Sequence, residues 1–320
     1  MLTRDNIARR QFLATAAASA ASLPGVFAHA APPKPPARST VVEATSAGWQ
    51  RNGVVDPAVV KRMVGRALTA LTGKASAADA WRQVVSPTER IGVKFNKVSA
   101  NFSGANQALG DAIIEGLTAA GVRRRNIIVV EAIGARFPGT GQPDLAYCRV
   151  ADSGRGRTRL TRFAADQVDA IVNVPDLKHH ERVGATGALK NLAFGNTIVE
   201  SPWRFHGPDQ QAHIAALYAL PQIAGKCRLC ILNGLRGIFH AGPRPRGTQW
   251  QWNRNSLLVS TDPVALDVTA HDIVQSQRRA APRGVNLCTP RRSPAYFGIA
   301  AGMGLGVADP RRIDLTQLQV

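Results

Sequence analysis

The chain predicts an α/β fold, with a mostly parallel or mixed sheet and helices on both faces. Three observations carry this. Short apolar runs rich in Val and Ile alternate with longer amphipathic stretches. Cap signals such as Asp56-Pro57 and Asp262-Pro263 open the helical stretches, and no shift in composition divides the alternation.

Thr40–Ala44 is the first β-branched run. Asp56 then Pro57 place an N-cap and a first helical position before a helix to about Leu71. Ile91–Phe95 reads as a strand, and Ala105–Ala120 as a helix stopped at Gly121. Ile127–Glu131 and Ala170–Val174 read as buried strands, the second ended by Pro175. Gln210–Leu220 reads as a helix, Leu229–Leu232 and Leu257–Val259 as strands. Asp262-Pro263 opens a helix to about Gln275. The irregular stretch Gly237–Asn255, rich in Gly, Pro, Arg and Trp, is a candidate functional loop.

Residues 1–30 read as an address rather than as fold. Arg9-Arg10-Gln11-Phe12-Leu13 is a twin-arginine pattern, followed by a weakly apolar Ala-rich stretch and by Ala28-His29-Ala30, an A-x-A-like cleavage site. The expectations are a twin-arginine signal peptide over 1–30, a Pro-rich linker over 31–39 and one α/β domain over 40–320. The implied partner is the twin-arginine translocase, and the implied location is periplasmic or secreted. No run has the ~18 apolar residues of a membrane span.

The formal net charge is +19, from 40 basic and 21 acidic residues. Removing three Arg and one Asp with residues 1–30 leaves 19 − 2 = +17. The arginines are scattered and not interleaved with aromatics, so the charge reads as composition and no nucleic-acid partner is expected.

Lysine is scarce: Lys94, Lys97, Lys178 and Lys190 are half of the eight. Lys94 ends one predicted strand beside Asn96. Lys178 lies just past another, in Asp176-Leu177-Lys178-His179-His180, beyond that strand's carboxyl end. Carboxyl ends of strands in an open α/β sheet are where ligands bind. Thr186 is placed to cap a short helix, with Lys190 and Asn191 one turn on. A hydroxyl, free N–H groups and an ammonium there suit a phosphate or carboxylate. Adjacent histidines in extended chain point opposite ways, so only one of His179 and His180 can serve the cleft. Asp262 has the position of an N-cap and is also kept as a binding candidate. Asp267 stands one helical turn before His271, a spacing that suits an orienting pair or part of a metal site. Cys227 and Cys230 enter a predicted strand, where positions i and i+3 face opposite ways, so they read as dispensable free thiols.

These motifs together resemble the bacterial and archaeal family called domain of unknown function 362, over about residues 85–280. The resemblance rests on Lys94/Asn96, Lys178/His180, Thr186/Lys190/Asn191, Gly242/Pro243 and Ser260/Asp262/Asp267. It implies an α/β domain. Some members carry ferredoxin-type cysteine clusters, a spacing absent here, so no iron–sulfur cluster is expected. Relatives often place an Asp where this chain has Asn233. No metal or other cofactor is assigned.

The expected function is a basic cleft for an anionic small molecule or cofactor. Lys94, Asn96, Lys178, Thr186, Lys190, Asn191 and Asp262 would bind it. His180, partnered by Asp267, would transfer protons. The alternative is a binding or assembly protein that uses the same cleft without turnover.

Overall fold

The computed structural model describes residues 37–98, 104–195, 197–199, 209–244, 247–282, 287 and 293–320. The signal-peptide expectation, most of the predicted linker and Cys288 lie outside these residues.

The main elements in chain order are β1 (Ser39–Thr45), α1 (Pro57–Thr72), α2 (Ala77–Val84), β2 (Ile91–Lys94), α3 (Ala105–Ala119) and β3 (Ile127–Val130). Then come β4 (Tyr147–Asp152), β5 (Arg157–Thr161), β6 (Ala170–Asn173), β7 (Asp176–His180), β8 (Gly184–Thr186), α4 (Ala188–Gly195) and β9 (Thr197–Val199). The last are α5 (Gln210–Tyr218), β10 (Cys227–Ile238), β11 (Gln251–Trp252), β12 (Ser256–Ser260), α6 (Pro263–Arg279), α7 (Tyr296–Gly302) and β13 (Ile313–Gln319).

A ten-stranded mixed sheet forms the centre, in the order β13-β1-β12-β10-β6-β2-β3, with β7, β8 and β11 attached to β10 or to each other. The steps from β10 to β6, β2 and β3 are parallel, whereas β12 runs antiparallel to both neighbours. Side chains alternate between its faces, as the pleat requires. Ile127, Ala170 and Val172 pack with α1, α2 and α3, while Ile128, Val130 and Ile171 pack with α4, α5 and α7. The expected α/β class with helices on both faces is therefore what the chain builds.

The caps act as the sequence predicts. Asp56 accepts from the amides of Ala58 at 2.9 Å and Val59 at 3.1 Å, and so starts α1. Asp262 does the same for α6, accepting from Val264 and Ala265 at 2.9 Å each.

Two expectations change. Lys178, expected just past a strand's end, lies within a strand of its own: the segment after Pro175 is the β7–β8 hairpin, with Lys178 paired to Thr186 in register. The strand expected at Leu229–Leu232 is twelve residues long. Its first part lies along β6 and its second along β7, with Asn233 opposite Asp176. One long strand thus carries both halves of the polar segment on a single scaffold.

Candidate functional site

A cleft of about 270 Å³ opens where β2, β3, β7 and α4 meet. Its walls include Lys94, Asn96, Lys178, His180, Thr186, Lys190 and Asn191, all expected from the sequence. Glu131, Phe194 and Pro243 are among its other walls. Larger, more open hollows lie along α1 and beside Val54, away from these groups.

Parallel register brings the strand ends together. Lys94 lies opposite Val130 on one side and Asn173 on the other. Glu131 is the next residue after β3, at φ +60°. A non-glycine residue in that region is uncommon, and here it turns the carboxylate onto Lys94. The Lys94 Nζ donates to Glu131 Oε2 at 2.7 Å, to the Phe95 carbonyl at 2.8 Å and to Asn191 Oδ1 at 3.3 Å. Gly195 leaves the space, since a Cβ there would overlap the ammonium.

Asn96 and Asn191 cross-link the walls. Asn96 donates to Asn191 Oδ1 at 3.0 Å and accepts from Lys178 Nζ at 2.9 Å. Asn191 donates to Asn173 Oδ1 at 2.8 Å, and Asn173 donates to the Ala188 carbonyl at 3.0 Å. Lys178 also donates to the Val98 carbonyl at 2.6 Å and lies 3.6 Å from Asp176. Two of the buried amines therefore have carboxylate partners, as burial of charge demands.

Lys190 differs. Its ammonium lies 4.7 Å over the Phe194 ring, and among the described residues it has no ion pair. At the end of β8, four residues earlier in the chain, the Thr186 hydroxyl is buried with no hydrogen-bond partner among the described residues. Burial, with the Lys178 charge beside it, lowers the Lys190 ammonium to about 8. Burial likewise lowers Lys94 and Lys178, opposed by Glu131 and Asp176 respectively.

Alternation along β7 separates the histidine pair. Lys178 and His180 face the cleft. His179 faces the other way, its ring centroid 5.9 Å from that of His240. Burial first, then Arg278, brings His179 down to about 3. His180 Nδ1 accepts from the Arg182 amide at 3.2 Å, so the neutral ring carries its proton on Nε2.

Three expectations are corrected. Thr186 does not cap α4; Asp267 does, accepting from the Ala188 amide and from Leu189 at 3.1 Å. Asp267 therefore stands behind the cleft and not on its wall, and its carboxylate is not turned toward His271, whose ring faces Phe297. Burial raises Asp267 to about 7 even though its two N–H bonds favour the carboxylate. Asp262 is likewise no cleft residue: as well as capping α6 it accepts from Ser39 and from the Val307 amide at 2.8 Å.

Glu131 was the residue missed. Its signal was present: two neighbouring parallel strands end in charges of opposite sign, Lys94 and Glu131. Among the described residues no group of three or more His, Cys, Asp or Glu side chains is arranged to hold a metal ion. Among them, too, no helix is long and apolar enough to cross a membrane.

No curated protein matches the chain. A solved structure from Thermotoga maritima, a Northeast Structural Genomics Consortium target, is similar at TM-score 0.38 and 10% identity. The similarity covers 72% of this chain and 61% of that one. Lys94 and Asn96 lie before the part of the chain that a family model matches, whereas Lys178, His180, Thr186, Lys190, Asn191 and Asp267 lie within it. That part, residues 144–272, matches the family described as Domain of unknown function (DUF362).

Proposed function

We propose that the cleft binds a small anionic molecule, with Lys190 and Thr186 as its principal contacts and His180 as a proton donor through Nε2. The observation that carries this is that an ammonium lacking an ion pair among the described residues and a buried hydroxyl with no hydrogen-bond partner among them line the same cleft. Desolvated polar groups without partners are costly, and an anion would relieve both. A volume of about 270 Å³ suits a ligand smaller than the drug-sized molecules held by pockets of roughly 300–1,000 Å³. Lys94, Lys178, Asn96 and Asn191 set the shape and the positive potential.

The test is thermal denaturation with sulfate, phosphate or citrate. The melting temperature rises with anion in the wild type, and the rise is lost in Lys190→Ala and reduced in Thr186→Val. A wild type that ignores all three anions refutes the proposal.

Binding without turnover has one observation in its favour. Asp267, expected as the carboxylate partner of His180, is engaged with the start of α4 and does not line the cleft. His180→Gln separates the readings, since a binding protein keeps its anion response in that variant. We propose further that the chain is exported by the twin-arginine route, on the evidence of Arg9-Arg10 and Ala28-His29-Ala30.

A further inference from the structure

Cys227 and Cys230 open β10, three positions apart, and an unbroken strand would send them to opposite faces. The strand is broken. Cys227 pairs with Ile171, Leu229 with Val172 and Cys230 with Asn173, with a register shift between Cys227 and Leu229. Their partners on β6 are thus two positions apart, not three. Arg228 is the extra residue of a bulge, and the bulge returns both cysteines to one face. Two steps along a strand are roughly 6.6 Å, within the roughly 4.4–6.8 Å that disulfides span between Cα atoms. The side chains already face each other, with the sulfurs 3.7 Å apart and both thiols free.

Cys230 also touches the scaffold of the cleft. Its sulfur accepts from Asn173 Nδ2 at 3.6 Å, and Asn173 Oδ1 accepts from Asn191 at 2.8 Å. Asn191 in turn accepts from Lys94 and Asn96. A row of three side chains therefore leads from the thiol to the cleft wall.

We propose that Cys227 and Cys230 form a reversible disulfide, and that its formation alters anion binding through Asn173 and Asn191. The co-reactant is a disulfide, either a small molecule such as oxidised glutathione or a thiol–disulfide exchange protein. The Cys227 thiolate attacks one sulfur of that disulfide, forming a mixed disulfide and releasing one thiol. The Cys230 thiolate then attacks the Cys227 sulfur, closing the internal bond and releasing the second thiol. Two electrons pass to the co-reactant, and the two thiol protons leave with its products.

The two cysteines suit different steps. Cys227 is half-buried, and hydrogen bonds from Cys230 and then Tyr218 lower its thiol. Cys230 is buried, which raises its thiol well above the ordinary value. Closing the bond draws the sulfurs from 3.7 Å to about 2.05 Å, so Cys230 moves relative to Asn173.

The experiment uses the full chain with Cys148→Ser and Cys288→Ser, equilibrated in glutathione buffers and mapped by peptide mass spectrometry. A loss of two hydrogens on the Cys227–Cys230 peptide, reversed by dithiothreitol and absent in Cys230→Ser, is expected. Cysteines that stay reduced in excess oxidised glutathione, or a mixed disulfide that persists on Cys227, would overturn the bond. Sulfate titration of the oxidised and reduced forms tests the coupling, with an affinity change of about threefold or more expected. This coupling rests on the anion-binding reading, whereas the mass readout does not. A bond that forms with sulfate affinity unchanged removes the coupling, and a reduced form that fails to bind sulfate counts against the cleft instead.

Discussion

Asp267 holds the start of the helix that carries Lys190: its carboxylate accepts hydrogen bonds from the amides of Ala188 and Leu189, 79 and 78 positions earlier in the chain. The contact explains Gly187, where a Cβ would overlap that carboxylate. Helix starts usually draw their caps from the residue just before them. Here the cap comes from α6, so the packing of α6 against α4 fixes where Lys190 and Asn191 stand.

Removing this cap leaves two buried amides unpaired. Asp267→Ala should destabilise the protein by about 2–4 kcal/mol in chemical denaturation. Asp267→Asn should cost less, because its Oδ1 can still accept one of the two bonds. The pH dependence has a definite sign. Folding raises Asp267 from 3.8 to about 7, so the folded chain binds more protons across that interval. The stability this group contributes is full below pH 4 and is lost as pH rises toward 7. The stability advantage of the wild type over Asp267→Asn should therefore shrink from pH 4 to pH 7. A difference that grows over this range would contradict the assignment.

The Lys94–Glu131 pair gives a second prediction. Lys94 is 1% exposed, and its only contacting carboxylate among the described residues is Glu131 at 2.7 Å. Glu131→Gln leaves a buried ammonium with neutral partners, which should cost about 2–4 kcal/mol. Lys94→Met combined with Glu131→Gln should be less damaging than the two changes added together. Strict additivity in such a double-mutant cycle would mean that the pair is not coupled.

Much of this site was legible in the sequence, for local reasons. Val-Lys and Val-Asn at strand ends, a Thr four residues before a Lys, and Asp-Pro before an apolar run are patterns of neighbours. Parallel pairing then brings the strand ends to one edge without further information. What was not legible depends on distant contacts. Asp267 follows a convincing capping residue and precedes a histidine at i+4, so nothing local points it toward Ala188. Cys227 and Cys230 misled because a bulge changes strand parity without any Gly or Pro to announce it. Residues 147–161 read as scattered arginines, yet they form a hairpin in which Thr158 and Leu160 are buried and Arg157 and Arg159 are exposed. β13 was missed because it closes the sheet edge beside β1 while staying mostly exposed, which leaves no apolar run to read.

The export proposal makes its own prediction. Replacing Arg9 and Arg10 with Lys should hold the precursor in the cytoplasm, and fractionation with immunoblotting would follow it. The wild-type chain should be shortened by residues 1–30 after export. Normal periplasmic accumulation of the double-Lys variant would rule the route out.

The most direct probe of the cleft is the charge on Lys190. Burial and Lys178 lower its ammonium from 10.5 to about 8, so the free protein carries this charge below pH 8 and loses it above. An anion bound beside it favours the ammonium, so in the complex the proton is released at a higher pH. Sulfate is the suitable ligand, because its own charge stays constant across this range. Its affinity should be level from pH 6 to about 7.5 and then fall up to tenfold per pH unit above pH 8. Lys190→Arg keeps a positive charge throughout, since guanidinium titrates above roughly 12, and should bind sulfate without the decline. Lys190→Ala should bind weakly at every pH. The decisive comparison is between the wild type and Lys190→Arg by isothermal titration calorimetry. If both lose sulfate affinity along the same curve, the titrating group is not Lys190 and the anion lies elsewhere in the cleft.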